Sequence, residues 1–354
     1  MSKTVLVTAI GSFSAGAVIM ACKREGYRVV GCDIYPAEWI VNSGDVDRFE
    51  QAPLATDTEE YRAFLKKLCW EEQVDYLLPL TDVEVDALQM WPLAAEELGA
   101  VICMSGRDTI ALCRDKEKME AFLREKGVCR TIPGHRLSEV LLRIYTGAGN
   151  GKKKGMDPVV AGMQFMGLTF PLVMKPVDGR SSQGLRILES TEELMLSAKH
   201  CHGNMERFIL QPKIEGNVIT VDVVRRPETG ECVCIPRREL LRTPNGAGTS
   251  VKVFRSEKLE AQCRDIAREL DIRGCVNFEF IEAAPGEWYF LECNPRFSGG
   301  VAFTCMAGYD MVKNHLRCFE GGEIETEANV EDQYIARRYT EYRMSSPDTE
   351  ASVE

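Results

Sequence analysis

Residues 275–282 read Cys-Val-Asn-Phe-Glu-Phe-Ile-Glu, and residues 288–300 read Trp-Tyr-Phe-Leu-Glu-Cys-Asn-Pro-Arg-Phe-Ser-Gly-Gly. In each run the polar pair, Asn277 with Glu279 and Glu292 with Asn294, stands two residues apart, the period of two that belongs to a half-buried strand. The alternation puts Glu279 on one face with Asn277, opposite Phe278 and Phe280. It also puts Glu292 and Asn294 on one face, with Cys293 turned away. If the two strands are antiparallel neighbours, two carboxylates and an amide converge. Mg2+ takes hard oxygen donors, one or two carboxylates with phosphate oxygens and water completing an octahedron, and Glu279, Glu292 and Asn294 supply such a set. Arg296, two residues beyond Asn294 on the same side, is placed to hold a transferring phosphoryl group. The competing reading, polar positions on a solvent-facing hairpin, suits Glu279 taken alone. It fits Glu-Cys-Asn-Pro-Arg less well, because Pro295 ends the strand and Phe290, Leu291 and Phe297 argue for burial.

Working outward, strands are predicted at 171–175, 184–188, 207–211, 218–224 and 231–235, and a helix at 258–270. The first of these strands ends in Lys175, just before the loop Asp178-Gly-Arg-Ser-Ser-Gln-Gly184. Small residues such as Gly179, Ser181, Ser182 and Gly184 let backbone N–H groups approach a phosphate, and a lysine adds a point charge. A second lysine, Lys116, opens a helix predicted over 115–126 and stopped by Gly127. Further upstream a strand at 3–10, a Gly- and Ser-rich turn at 11–16, a helix to about Gly26 and a strand ending at Asp33 are followed by a helix at 58–72 and strands at 74–79 and 101–104. Strands alternating with helices imply a parallel, doubly wound sheet. The fold class is therefore α/β: a parallel-sheet domain over 1–113, an α+β domain over 114–325, and a C-terminal segment, 326–354, that is polar, acidic and frayed from about 344. A small subdomain is expected at about 130–210, carrying a flexible insertion at about 146–165.

Lys+Arg 43 against Asp+Glu 54 gives a net charge of -11, which speaks against a basic nucleic-acid-binding surface. The longest apolar runs are too short to cross a bilayer, and residues 1–25 lack the apolar stretch of a secretory signal. A cytoplasmic protein acting on small molecules, with neither nucleic acid nor membrane as a partner, is the expectation. The fourteen cysteines are scattered through apolar segments and read as free buried thiols. Cys232/Cys234 and Cys201 beside His202 have no second pair at zinc-ligand spacing.

Two motifs compete for attention. Residues 147–154 resemble a phosphate-binding P-loop, but the spacing is one residue short and no Ser or Thr follows the lysine, so the stretch reads as a flexible basic insertion. The turn at 11–16 with Asp33 about twenty residues on resembles a dinucleotide fingerprint. It lacks the Gly-x-Gly opening, which leaves an NAD(P)-dependent oxidoreductase as the runner-up enzyme class.

Taken in order, Asp115-Lys116, Val-Met-Lys175-Pro, the loop 179–184, Leu210-Gln211-Pro-Lys-Ile214-Glu-Gly, Asn-Phe-Glu279-Phe and Leu-Glu292-Cys-Asn294-Pro-Arg296 resemble the ATP-grasp superfamily. Within it the chain looks most similar to single-module proteins related to the carbamoyl-phosphate synthase large chain, over roughly residues 1–325. The resemblance implies a Rossmann-like domain followed by the grasp with a small lid. It implies Lys116 and Lys175 on ATP phosphates, loop 179–184 closing over them, Gln211 and the backbone of Ile214 facing adenine, and Glu279, Glu292 and Asn294 on Mg2+, with Mn2+ as a substitute. The implied chemistry is an ADP-forming carboxylate–amine ligase working through an acyl phosphate, with Arg296 and Lys175 as catalytic groups and a homodimer as the common assembly.

The chain departs from the family pattern at Val218, which stands where an acid usually reads the ribose, and in the extra length between Pro133 and Pro171. A nucleotide-binding sensor or subunit without full catalysis is the alternative that Val218 motivates. Arg237, Arg238 and Arg242, with the glycine-rich stretch 245–250, either clamp a substrate carboxylate or phosphate or form a solvated basic stretch. Asp82 and Glu84, at the C-terminal end of a parallel strand, are candidates for reading a substrate amine.

Overall fold

The computed structural model describes residues 2–146, 158–179, 184–201, 203–244 and 246–344. Strands β1 (Thr4–Val7), β2 (Arg28–Asp33), β3 (Arg48–Gln51), β4 (Tyr76–Leu78) and β5 (Val101–Ile102) form a sheet in the order β3-β2-β1-β4-β5. Every pairing in it is parallel. β1 is buried at all four positions, as a central strand covered on both faces must be. The chain then crosses through the helix Arg107–Arg114 to the helix Lys116–Lys126. Asp115 caps the latter by accepting from the Lys118 N–H, and Gly127 closes it at φ 66°.

β6 (Arg130–Thr131) leaves to join the largest sheet. β7 (His135–Arg136), β8 (Leu172–Pro176), β9 (Arg186–Leu188) and β10 (Phe208–Pro212) make a small antiparallel sheet, ordered β7-β10-β8-β9. Its apolar face packs on the helices Leu137–Thr146 and Thr191–His200 through Leu137, Val140, Leu172, Met174, Leu194 and Leu210. The insertion expected at 146–165 begins at the end of the helix Leu137–Thr146 and closes with a helix, Pro158–Phe165, and residues 147–157 between them, including the P-loop-like stretch 147–154, lie outside the described residues.

The third sheet comprises β11 (Asn217–Arg225), β12 (Cys232–Arg242), β13 (Gly248–Val253), β14 (Gly274–Ala284), β15 (Glu287–Asn294) and β16 (Gln333–Ala336) with β6, in the order β16-β13-β12-β11-β14-β15-β6. One face is covered by the helix Glu257–Glu269, whose Leu259, Cys263 and Ile266 recur at helical spacing and meet Phe278, Phe280 and Phe290. The other face shares one core with the first sheet: Val5, Val7 and Val18 pack with Ile235, Phe297, Val301 and Met311. That common core fixes the parallel sheet against the largest one, and the candidate site lies at their junction.

Two strands were not expected. Within the C-terminal segment, β16 pairs antiparallel with β13 from Ser250↔Ala336 to Val253↔Gln333. Gly248–Val253, which begins inside the glycine-rich stretch 245–250, is a strand as well. All fourteen cysteines are free thiols, and Cys232 and Cys234 share a thiol–thiol hydrogen bond at 3.9 Å, not a disulfide.

Candidate active site

β14 and β15 are antiparallel neighbours, and their register sets Glu279 opposite Glu292 and Asn277 opposite Asn294. The convergence expected from alternation is therefore present. Asn294 Nδ2 donates to Asn277 Oδ1 at 3.2 Å and lies 3.4 Å from Glu292 Oε1. Burial and the neighbouring Glu292 push the Glu279 carboxyl up from 4.5 to about 7. Two carboxylates facing one another across a strand pair are uncomfortable without a cation between them. Arg242 partly fills that role, with Nη2 at 3.1 Å from Glu279 Oε2. The donor set, two carboxylates and an amide, suits Mg2+ that keeps its remaining positions for phosphate oxygens and water. Among the described residues no cluster of three or more His, Cys, Asp or Glu offers a softer metal an alternative.

Lys116 and Lys175 reach the same wall from different elements. As the first residue of its helix, Lys116 donates to the Gly179 carbonyl at 2.6 Å and stands 3.5 Å from Glu292 Oε2. Lys175, on β8, is held at a pKa of about 8 against an ordinary 10.5. Burial is the main cause; Glu292 opposes it, and Lys116 adds to it. A cleft of about 730 Å3 runs past both lysines, Gly179, Glu279, Glu292, Asn294 and Arg296, and is closed on its far side by Gly11–Ser14 and Leu80–Val83 of the parallel-sheet domain. Ser181 and Ser182 lie outside the described residues, and Gly184 follows them at φ 74°.

Several expected site residues take other places. Arg296 does face the cleft, but it is tied across the domain junction: Nη2 donates to Asp82 Oδ2 at 2.7 Å and Nη1 to the Phe297 carbonyl at 3.0 Å. Asp82 lines the cleft as this ion-pair partner, with Arg114 Nη1 3.6 Å away. Glu84 does not line it. It closes a capping box with Thr81, accepting from the hydroxyl at 2.7 Å and from the backbone N–H at 3.2 Å, so its task is to start the helix Asp82–Gln89.

Strand alternation separates the two arginines that the sequence reading grouped. Arg237 lines the cleft, whereas Arg238 points away to pair with Glu282 and to lie over Phe254. Gln211 is buried and donates its side-chain amide to the Ile132 carbonyl at 2.6 Å, and neither it nor Ile214 lines the cleft beside the lysines. Val218 sits on β11 opposite Ile281 and contributes no acid. Asp33, the acid of the dinucleotide-like fingerprint, spends Oδ2 on the Gly11 N–H at 2.8 Å and Oδ1 on the Tyr35 N–H at 3.1 Å. It braces the turn instead of reading a ribose, which removes the main support for a nicotinamide site.

Sequence reasoning missed Glu239 and the turn Gly11–Ser14 as cleft residues. Period-two alternation from Arg237 would have found Glu239. The turn was read only for its own motif.

A family model described as "ATP-grasp in the biosynthetic pathway with Ter operon" matches residues 204–342. A biotin carboxylase from Pseudomonas aeruginosa is 25% identical over 193 residues, covering 51% of this chain and 42% of the relative. A D-alanine–D-alanine ligase from Aquifex aeolicus is 28% identical over 133 residues, 35% of this chain and 45% of the relative. The chain thus spans less than half the length of either curated relative. Among solved structures, the biotin carboxylase domain dimer of the Hydrogenobacter thermophilus 2-oxoglutarate carboxylase, in complex with MgADP, ADP and bicarbonate, superposes with a TM-score of 0.74. It is 20% identical and the match covers 94% of this chain and 73% of that one, a likeness of fold.

Proposed function

The chain belongs to the ATP-grasp superfamily, and from that premise we propose that it is an ATP-dependent ligase that activates a carboxylate as an acyl phosphate for capture by an amine. The narrower kinship with the carbamoyl-phosphate synthase large chain is not part of the premise. The observation that carries the reading is the single wall on which Glu279 faces Glu292 in register with Lys116 3.5 Å away.

On this reading Lys116 and Lys175 bind the phosphates of ATP, and Glu279, Glu292 and Asn294 hold Mg2+, with Mn2+ able to replace it. Bound there, the metal neutralises charge on the phosphate oxygens. Arg242 exchanges its contact with Glu279 for one with an incoming anion. A carboxylate oxygen of the substrate attacks the γ-phosphorus, ADP departs, and the acyl phosphate forms; the neutral amine then attacks the carbonyl carbon and expels phosphate, which carries off the proton that the nitrogen loses. Arg296, oriented by Asp82, stabilises the charge on the moving phosphoryl group. No side-chain nucleophile is required, since phosphoryl transfer rests on positioning and charge neutralisation.

Phosphate release from Mg–ATP, measured across panels of carboxylic acids and amines, tests the proposal. Turnover that needs both an acid and an amine supports it. A protein that neither turns over nor binds Mg–ATP refutes it.

A further inference from the structure

Each of the two carboxylates that face one another on β14 and β15 is matched to a cation of the chain itself. Glu292 has Lys116 at 3.5 Å, and Glu279 has Arg242, whose Nη2 donates to Oε2 at 3.1 Å and stands 3.4 Å from Oε1. The two cations come from opposite flanks. Cross-strand register sets Arg237, Thr220, Glu279 and Glu292 in one row over β12, β11, β14 and β15, so β12 lies on the Glu279 side of the carboxylate pair. Lys116 approaches from the Glu292 side, together with Lys175, on which Glu292 acts more strongly than Glu279.

Of the three arginines on β12 that the sequence singles out, Arg242 is the one able to change partners. Arg237 is committed: Nη1 donates to Asp222 at 2.7 Å, Nη2 to Ser298 Oγ at 3.0 Å and Nε to Glu239 Oε1 at 3.1 Å. Arg238 points away from the cleft to Glu282. Arg242 lines the cleft with 28% of its side chain exposed. Its Nε donates to the Gly246 carbonyl at 2.8 Å, within the turn that Thr243 and Ala247 close between β12 and β13. That anchor keeps the guanidinium aimed into the cleft whether or not Nη2 holds Glu279. An arginine and a divalent cation compete for the same carboxylate oxygens. When Glu279 and Glu292 turn to a metal, Lys116 is therefore released to nucleotide phosphates on one flank, and Arg242 to a second anion on the other.

Building on the ligase reading, we propose that Arg242 binds the carboxylate of the acid to be activated, and that its ion pair with Glu279 withholds it until Mg2+ and nucleotide are in place. The guanidinium fork matches a carboxylate, and its position beside a metal-ligating residue sets that carboxylate against the phosphoryl group it attacks. Arg242 thereby couples the two binding events. The coupling is reciprocal, so the acid tightens binding of metal and nucleotide by the same factor by which they tighten binding of the acid.

The test is equilibrium binding to the full chain. In the first arm Mn2+ is titrated in the presence of a non-hydrolysable ATP analogue, with free and bound ion distinguished by electron paramagnetic resonance. Arg242→Gln removes the cation that the metal has to displace, and is expected to tighten Mn2+ binding by about threefold. Lys118→Gln, the same loss of charge at a side chain 74% exposed, is expected to leave it unchanged. In the second arm monocarboxylates, dicarboxylates and amino acids are titrated calorimetrically into protein with and without Mg2+ and the analogue. At least one acid is expected to bind the loaded wild type at least about tenfold more tightly than the protein alone, as a charge-assisted contact implies, and Arg242→Gln to erase that difference.

Should Arg242→Gln fail to fold, Arg242→Met removes the same contacts and carries the same expectations. Mn2+ binding that is unchanged or weaker in the folded variant overturns this proposal alone. So do acids that bind loaded and unloaded wild type alike, and a preference for the loaded protein that survives the loss of Arg242. Wild type that does not bind the analogue in the presence of Mn2+ overturns the ligase reading, and this proposal with it.

Discussion

Raising the pH through about 8 is expected to weaken Mg–ATP binding, because Lys175 then loses the proton with which it meets phosphate. Burial lowers its pKa from 10.5 to about 8, with Glu292 pulling the other way and Lys116 adding to the shift. For the unliganded fold the sign is as follows. The folded value lies below the unfolded one, so the unfolded chain holds more protons between them. A penalty of about 3 kcal/mol is fully present below pH 8 and is relieved as the pH climbs towards the unfolded value.

Phosphate oxygens reverse the shift by stabilising the ammonium. At a pH of about 8 half of the free protein has a neutral Lys175, so nucleotide binding takes up about half a proton. One unit below that the uptake is small; above it the uptake approaches one and the affinity falls by up to about tenfold per unit. Glu279 opposes this only weakly, since at a pKa of about 7 it is already about nine-tenths ionised at pH 8 and has little proton to release to a metal. Isothermal titration in two buffers of different ionisation enthalpy reads the uptake directly. Lys175→Met is expected to abolish it, and Lys118→Met, at a side chain 74% exposed on the helix that begins with Lys116, to leave it unchanged. Uptake at pH 8 that is absent in wild type, or survives in Lys175→Met, refutes the reasoning.

Arg296→Ala removes both the proposed phosphoryl contact and one of the cationic partners of Asp82, at 2.7 Å. It is expected to lower kcat by about a hundredfold or more while changing Mg–ATP affinity far less, and to lower stability by about 3 kcal/mol, read by steady-state phosphate release and by denaturation. Glu279→Gln is expected to raise the Mg2+ concentration needed for half-maximal nucleotide binding by at least about tenfold, and chelation of wild type to stop phosphate release until Mg2+ or Mn2+ is restored. Gly300→Ala presses a methyl group to within 2.8 Å of the Arg237 guanidinium, which its partners prevent from moving aside. A loss of about 1–3 kcal/mol in a denaturant titration is expected.

The facing of Glu279 and Glu292 was legible because each strand carries its polar pair two residues apart; the register shift between Glu279 and Phe280 was not, since the run Trp-Tyr-Phe-Leu before Glu292 has no alternation to reveal it. The helix that Lys116 opens was legible, since Asp115 and Gly127 mark its ends, but the place of Lys116 beside Glu292 was suggested only by the family resemblance. The bond between Arg296 and Asp82 joins residues 214 apart, and no local pattern carries such information. Arg242 was placed among the cleft residues for an incomplete reason. Simple alternation would turn it away from Arg237 and Glu239, and it returns to their side only because β12 and β13 slip register between Glu239 and Arg242. Glu84 misled because an acid in the first turn of a helix looks the same on paper whether it meets a ligand or the N–H groups of its own turn. β16 was missed because a four-residue edge strand within a polar segment barely departs from the composition of a loop.

That edge strand has a practical side. A cut at residue 325, the boundary that composition suggests, would strip β13 of its neighbour and leave a row of unpaired backbone groups open to another chain. It would also take away Arg337, whose guanidinium bridges the Phe13 and Gly299 carbonyls and so staples the first turn of the protein to the loop after β15. A shortened protein that aggregates would then report on the cut and not on the ligand chemistry. Any trimming, domain exchange or fusion therefore has to keep the chain intact through Arg337.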